Sequence, residues 1–336
     1  MGKKEHGQFY TVNHSYIMEG FDKPMVKVSE PFAGRGDLLE WLGHTNYEAY
    51  DIDPKREDIV KRDTLLDPPT YKDTYIITNP PYLARNKSKS KDIYDKYETN
   101  DLYKCFITSL LAQEEGCLGG IFIIPAAFFL SSRDVDVKCR GAFMNKYRIT
   151  KVKYFEETVF PDTSTTVVAF SFVKSPKPLN TQSVRWEQRP SGKCKVFKME
   201  ENKKWIIGGD IHDLPQNPNV KISRLVDYKN NENVTNLTLS AIDSGKDKRI
   251  QLEYKKNYVF RGSQTNRAYA TLCIEGVRLS EEDQVMIAGR FNDFLNSKRE
   301  RYWSLFLPQY RESKEYARKR IPFELAYRIV SNLLCS

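Results

Sequence analysis

The chain has 336 residues, enough for two domains, and its apolar fraction of 40 % is ordinary for a globular protein. Its 53 Lys and Arg outweigh 44 Asp and Glu, and the formal charge of +9 suits a polyanionic partner such as nucleic acid. The longest apolar run, residues 121–130, is interrupted by Pro125 and falls short of the ~18 residues of a membrane helix. No apolar stretch follows the first residues, so no signal peptide is expected. Six cysteines lie far apart without a Cys-x-x-Cys pair; no metal site or disulfide framework is expected, and reduced thiols point to a cytoplasmic setting.

Taken in chain order, residues 25–29 read as a strand, 37–42 as a helix start and 47–52 as a second strand. A third strand is expected just before Asp63. Residues 74–78 read as a strand, 101–113 as a helix and 120–124 as a buried strand, with late strands at 152–155 and 166–173. Strands alternating with helices predict an α/β fold: a mostly parallel, Rossmann-like sheet covered by helices on both faces. The Lys174-Ser175-Pro176-Lys177-Pro178 stretch reads as a linker, which divides the chain into domains 1–173 and 174–336. Beyond it, residues 183–188, 195–199 and 204–207 read as short hairpin strands, and 281–296 and 323–334 as helices. The second domain is thus expected to be α+β.

The sharpest motif is Thr78-Asn79-Pro80-Pro81-Tyr82, directly after a predicted strand. Two prolines fix the backbone and remove two amide donors, so the turn can present the Asn79 side-chain oxygen and the Pro80 carbonyl as converging acceptors. Two acceptors on the hydrogens of an amino group draw its nitrogen toward sp³ character, which suits attack on a methyl group. Tyr82 adds an aromatic face for a planar base. The alternative is a proline-rich strand terminator.

A second motif, Glu30-Pro31-Phe32-Ala33-Gly34-Arg35-Gly36-Asp37, places glycines at a strand-to-helix turn, where the backbone can approach a nucleotide-like ligand. A plain tight turn would read the same way. Asp51, at the end of the next strand, stands where an acid meets ribose hydroxyls, and Asp63 could accept from an adenine amino group; Asp51 and Asp53 could instead be solvated turn residues beside Pro54.

In this order and spacing the motifs over residues 6–173 resemble the gamma-class N6-adenine DNA methyltransferases of restriction-modification systems. His6-Gly7-Gln8-Phe9-Tyr10-Thr11 resembles that class's N-terminal motif, Glu30–Asp37 its first cofactor motif, Asp51-Ile52-Asp53-Pro54 the second and Arg62-Asp63-Thr64 the third. The resemblance implies S-adenosylmethionine as cofactor. It would be held by Gln8, Phe9, Tyr10, Thr11, Glu30, Pro31, Ala33, Gly34, Gly36, Asp51, Asp63, Thr64, Asn79 and Phe106. The same resemblance implies catalysis by Asn79, Pro80, Pro81 and Tyr82. Phe160, in Val159-Phe160-Pro161, would join Tyr82 in sandwiching an adenine flipped out of duplex DNA. Phe32 and Arg35 depart from the family's first motif and put the backbone path there in doubt.

Double-stranded DNA is the implied partner, with a separate cognate restriction endonuclease beside a monomeric enzyme. Phosphate contacts are expected from the basic loop Arg85, Lys87, Lys89 and Lys91, next to the catalytic motif, although a solvated loop would read the same. They are also expected from Arg318, Lys319 and Arg320, within a stretch, 298–328, carrying nine basic and four acidic residues. A solvated helix face packed through its aromatics is the alternative there. Two other functions share the pattern: an RNA or protein-glutamine amino-methyltransferase, and a non-catalytic DNA-binding protein on the same fold.

Overall fold

The computed structural model describes residues 7, 9–161, 163–226, 233–243, 249–263, 265–309 and 317–335. Of the residues singled out above, His6, Gln8 and residues 310–316 lie outside this set. The chain divides into two compact units. The first runs to Trp205 and takes in Ala317, and the second begins at Ile206.

The first unit is built on a nine-stranded sheet in the order β3-β2-β1-β4-β5-β7-β6-β8-β9. Its strands are β1 (Val28–Glu30), β2 (Tyr47–Asp51), β3 (Val60–Lys61), β4 (Tyr75–Thr78), β5 (Gly119–Pro125), β6 (Tyr147–Phe155), β7 (Val167–Lys174), β8 (Thr181–Arg189) and β9 (Lys193–Glu200). The five strands from β3 to β5 are parallel, whereas β7 runs antiparallel to both β5 and β6. The fully buried run of β5 explains its lack of alternation, because a central strand is covered on both faces. Helix α2 (Asp37–Leu42) follows β1 and stops at Gly43, whose φ of 74° closes the helix in the left-handed region. The other helices of this unit are α1 (His14–Met18), α3 (Asp92–Lys96), α4 (Leu102–Leu111), α5 (Ala127–Leu130) and α6 (Asp134–Lys146); α4 precedes β5 and α6 follows it.

The boundary expected at residue 174 is displaced. Strand β8 pairs in parallel with β6 from Lys151↔Arg185 to Phe155↔Arg189, so the hairpin of β8 and β9 extends the first sheet. Alternating Gln182, Val184 and Trp186, all buried, give β8 one inward face that ties it to this core. The linker is a surface turn between two strands of one sheet. The strand expected at 204–207 is absent: Lys204 and Trp205 both adopt positive φ, which ends extended pairing there.

The second unit is α+β, as expected of the C-terminal part. Its antiparallel sheet has the order β10-β13-β11-β12, from β10 (Lys221–Arg224), β11 (Val234–Ser240), β12 (Gln251–Tyr254) and β13 (Tyr269–Glu275). Ser280 opens α7 (Glu281–Tyr302) with a reciprocal capping box to Asp283. Phe291 and Leu295 of α7 and Leu325, Ile329 and Val330 of α8 (Phe323–Leu333) pack with Leu237, Leu252 and Leu272 in one core.

One buried ion pair locks the first unit. Lys104 on α4 and Asp136 on α6 are almost fully covered, and their contact is completed by the Asn100 Oδ1 and Ser131 Oγ hydrogen bonds. Removing one partner strands a charge away from water. Asp136→Ala is therefore expected to cost about 3–5 kcal/mol in urea denaturation; a loss below about 1 kcal/mol would mean that water reaches the ammonium group.

Candidate active site

The chain order of the parallel strands reverses between β1 and β4. From β1 the chain proceeds outward to β2 and β3; β4 then returns to the other side of β1 and leads to β5. The loops leaving β1 and β4 diverge at such a point, and the crevice beyond the strands' carboxyl ends is where open α/β sheets bind ligands. The Gly34 turn leaves β1 and the Asn79 turn leaves β4. A cavity of about 420 Å3 lies there, within the ~300–1,000 Å3 range of small-molecule sites.

Of the residues expected to hold the cofactor, Phe9, Tyr10, Gly34, Asp51, Asp63, Thr64 and Asn79 line this cavity together. Asp51, 4 % exposed, accepts from Gly34 N at 2.8 Å through Oδ2 and from Asp53 N at 2.8 Å through Oδ1. Each carboxylate oxygen keeps a second lone pair for a ligand hydroxyl. Asp63 Oδ1 accepts from Leu65 N (3.1 Å) and Leu66 N (3.2 Å), which shapes the next turn, while Thr64 Oγ1 donates to Pro31 O at 2.9 Å. Gly34 has φ +54°, and a Cβ there would stand 3.0 Å from the Tyr10 ring. Tyr10 in turn carries the Arg35 guanidinium 4.5 Å from its centroid. The family departure at Arg35 thus folds back onto a cavity-lining ring.

The remaining candidates are not at the cavity wall. Thr11, Glu30, Pro31, Ala33, Gly36 and Phe106 stand behind it or beside it. Phe106 is fully buried and packs edge-on against Phe32 at 5.2 Å; Phe32 is the phenylalanine that faces the ligand space. Phe32 was set aside in sequence as a motif departure. Ile52, Leu65 and Leu66 also line the cavity and carried no sequence signal beyond adjacency to Asp51 and Asp63; Ile52 and Leu66 are exposed apolar side chains (41 % and 62 %), which is the usual mark of an apolar ligand face.

The catalytic candidates form a tight cluster. Asn79 Nδ2 donates to Phe9 O at 2.8 Å and to Thr11 Oγ1 at 3.1 Å. The Tyr82 hydroxyl contacts Asn79 Oδ1 and also donates to Ile123 O at 2.6 Å. One proton shared between two acceptors leaves Asn79 Oδ1 with spare accepting capacity. Burial pushes the Tyr82 hydroxyl well above its ordinary pKa, so it stays protonated as a donor.

A second cavity of about 790 Å3 lies against the same turn and shares Phe9 and Leu83 with the first. Tyr82, Tyr103, Asp101 and residues 163–165 line it, with Arg85, Lys87 and Arg133 among its basic members. Burial raises the Asp101 carboxyl to about 6, against the pull of Lys104. The expected open slot between Tyr82 and Phe160 is filled otherwise. Both rings are buried, and the Phe9 ring contacts each, at 5.4 Å and 6.4 Å between centroids.

The basic candidates divide. Arg85 pairs with Asp95 at 2.8 Å, and the Lys91 ammonium turns back onto the Arg85 and Ser88 carbonyls; Lys87 and Lys89 are exposed. In the second unit Arg318 and Lys319 are 8 % and 5 % exposed, which corrects their reading as phosphate contacts. Backbone bridges Gln309↔Lys319 and Ile242↔Arg320 draw this segment inward beside the buried Ile321, and Arg318 Nε donates to Asp243 O at 2.8 Å.

The residues fit S-adenosylmethionine. A cradle that a Cβ at Gly34 would fill, two carboxylates with spare acceptors and apolar walls from Phe32, Ile52 and Leu65 suit a nucleoside with a charged tail. Below the turn, Glu30 is 2 % exposed with Oε2 unpartnered, and burial, then the charges of Asp37 and Asp51, push its carboxyl well above the usual range. Among the described residues no cluster of three His, Cys, Asp or Glu could hold a metal, and no helix is long and apolar enough to cross a membrane.

A folded acid that holds a proton the unfolded chain has released stabilises fully below the unfolded carboxyl range. That contribution is lost as pH rises from about 4.3 through the folded pKa. Glu30→Gln is therefore expected to unfold at higher urea concentration than the parent at pH 8, with the difference shrinking toward pH 5. A constant difference across that window would show Glu30 to be ionised.

A family described as Eco57I restriction-modification methylase matches residues 70–160, a segment that contains the Asn79 turn. The methyltransferase subunit of a type I restriction-modification system from Streptococcus thermophilus is 17 % identical over 54 % of this chain and 47 % of its own, with a TM-score of 0.38. A type I R-M system studied for complex assembly gives 14 % identity, 57 % and 47 % coverage and 0.44. The EcoKI M protein of a type I restriction enzyme gives 13 %, 50 %, 45 % and 0.36. The chain spans about half the length of these structures. No curated protein gives a significant match. Over the segment that carries its Asn-Pro-Pro-Tyr turn, the chain is similar to the Eco57I restriction-modification methylases, and S-adenosylmethionine is the cofactor that this similarity and the cavity together imply.

Proposed function

We propose that this chain is a DNA methyltransferase that places a methyl group on the N6 nitrogen of an adenine. The carrying observation is that two cavities abut one wall, formed by Phe9 and the turn from Asn79 to Leu83. A group transfer between two bound molecules needs both to reach one point from different sides, and the Asn79–Leu83 turn, which would offer the Asn79 and Pro80 acceptors, lies between the two cavities. The 420 Å3 cavity would take the cofactor, with Asp51 toward ribose and Asp63 and Thr64 toward the base. S-adenosylmethionine supplies the electrophilic methyl carbon when bound.

The larger cavity, with aromatic Tyr82 and Tyr103 and basic Arg85, Lys87 and Arg133, suits a flipped base whose phosphates reach its rim. Asn79 Oδ1 and the Pro80 carbonyl would accept from the two N6 hydrogens. They hold the nitrogen lone pair free and stabilise the positive charge that forms on it; the methylated nitrogen then loses a proton to water. Catalysis of this kind is positioning and electrostatics. Phe9 must leave its contact with at least one of Tyr82 and Phe160 before a base can stack between them.

The matched family and the basic net charge favour DNA over a protein amide as substrate. Residues 206–336 would supply target recognition, because the methyltransferase motifs end within the first unit.

The test is transfer of labelled methyl from S-adenosylmethionine to a randomised duplex, followed by identification of the modified base. N6-methyladenine is expected, and a labelled protein or RNA with unlabelled DNA would overturn the assignment. Asn79→Ala should lower kcat by at least about 100-fold with cofactor affinity within a few-fold, since its oxygen is needed chiefly in the transition state. Asp51→Ala should do the reverse, weakening cofactor binding first in calorimetry.

A further inference from the structure

The orientation of the Asn79 amide is dictated by what surrounds it. A backbone carbonyl only accepts, so the Asn79 atom 2.8 Å from Phe9 O is the nitrogen. Its second hydrogen is directed to Thr11 Oγ1, 3.1 Å away, on a side chain only 4 % exposed. Thr11 is absent from the walls of both cavities, so its buried hydroxyl faces the catalytic turn and no ligand space.

We propose that Thr11 is a positioning residue: with the Phe9 carbonyl, its hydroxyl claims both amide hydrogens of Asn79 and leaves Oδ1 as the atom offered to the substrate amine. The proposal rests on the methyl-transfer reading of the site. A primary amide turned by half a rotation about its terminal bond has nearly the same shape but presents –NH2 where an acceptor is required. Such a rotamer would meet the amino group donor to donor. A single hydrogen bond to Phe9 O favours the productive orientation, and the second bond, donated to Thr11 Oγ1, narrows the swing of the side chain. Orientation at this level is worth large factors in rate because the attacking nitrogen needs both acceptors aligned.

The experiment compares Thr11→Val, which keeps the shape and loses the acceptor, with Thr11→Ser, which keeps the hydroxyl. In protein labelled with 15N-asparagine, the Asn79 side-chain amide, assigned by its loss in Asn79→Asp, should exchange its hydrogens slowly in the parent and in Thr11→Ser. In Thr11→Val exchange should quicken at least about fivefold, since the bond lost is one of two that shield the group. With DNA substrate, Thr11→Val should lower kcat about tenfold, KM for DNA and the cofactor Kd staying within about threefold, and Thr11→Ser should restore kcat. Unchanged amide exchange would overturn the proposal. So would a Thr11→Val variant that loses cofactor affinity at unchanged kcat, since Thr11 would then be a cofactor ligand. If the parent transfers no methyl group to DNA, the function falls, while the amide exchange still decides whether Thr11 holds Asn79.

Discussion

The pairing of β1 with β4 is the constraint on which the site depends. Two backbone registers, Val28↔Tyr75 and Ser29↔Ile76, set these strands side by side although 44 residues separate Glu30 from Tyr75. Their carboxyl ends thereby deliver Gly34 and Asn79 to one crevice. Parallel strands cannot be joined by a tight turn, so the intervening chain must travel away and return. It does so through β2 and β3, and on the way sets Asp51 and Asp63 along the same edge. A slip of one residue in the β1–β4 register would send every following side chain to the other face.

The N-terminal segment completes what the sheet begins. Gly7 lies so close to Tyr82 that a Cβ would stand 2.7 Å from its carbonyl oxygen, and Tyr82 N donates to Gly7 O at 2.9 Å. A glycine with φ +65° is the residue that permits this approach. Two residues on, the Phe9 carbonyl and Thr11 hydroxyl bind Asn79, and the Phe9 ring meets Tyr82 and Phe160. Backbone and side chain of one short segment thus touch the amide, the aromatic cluster and both cavities.

Behind the site, two buried cations are held by backbone carbonyls. Arg140, fully covered, spends its guanidinium on the carbonyls of Phe128, Ser131 and Lys204, and Lys153 on those of Tyr16, Ile17 and Glu19. Burial draws the Lys153 ammonium down to about 8. These cations close off helix and loop ends whose carbonyls would otherwise be stranded. Glu30 Oε2, like the neighbouring hydroxyls of Ser29 and Thr78, is buried without a partner near the cofactor turn, and the cost of that burial is consistent with a site whose groups are shaped for a ligand rather than for stability.

What the sequence determined by itself was local. Prolines at 80 and 81, glycines at 34 and 36 and β-branched or apolar runs encode turns and strands through φ restriction and side-chain shape, so β2, β4, β5 and β7 were legible within a residue or two, as were α2 and α4, whereas β1 starts later and β6 starts earlier than expected. The tertiary structure alone decided which candidates meet a ligand. Phe32 faces the cavity and Phe106 backs it, although both are phenylalanines beside a motif; the choice follows from which lies nearer the strand end. Arg318 and Lys319 read as exposed cations, yet their backbone pairs and the adjacent Ile321 pull them under cover. The sheet also runs on through β8 and β9 past the proline-rich stretch at 174–178, because buried Val184 and Trp186 gain more from joining it than a lysine–proline turn can oppose. Composition and turn chemistry act over a few residues, whereas burial is settled by partners tens of positions away, and that is why the motifs could be read and their surroundings could not.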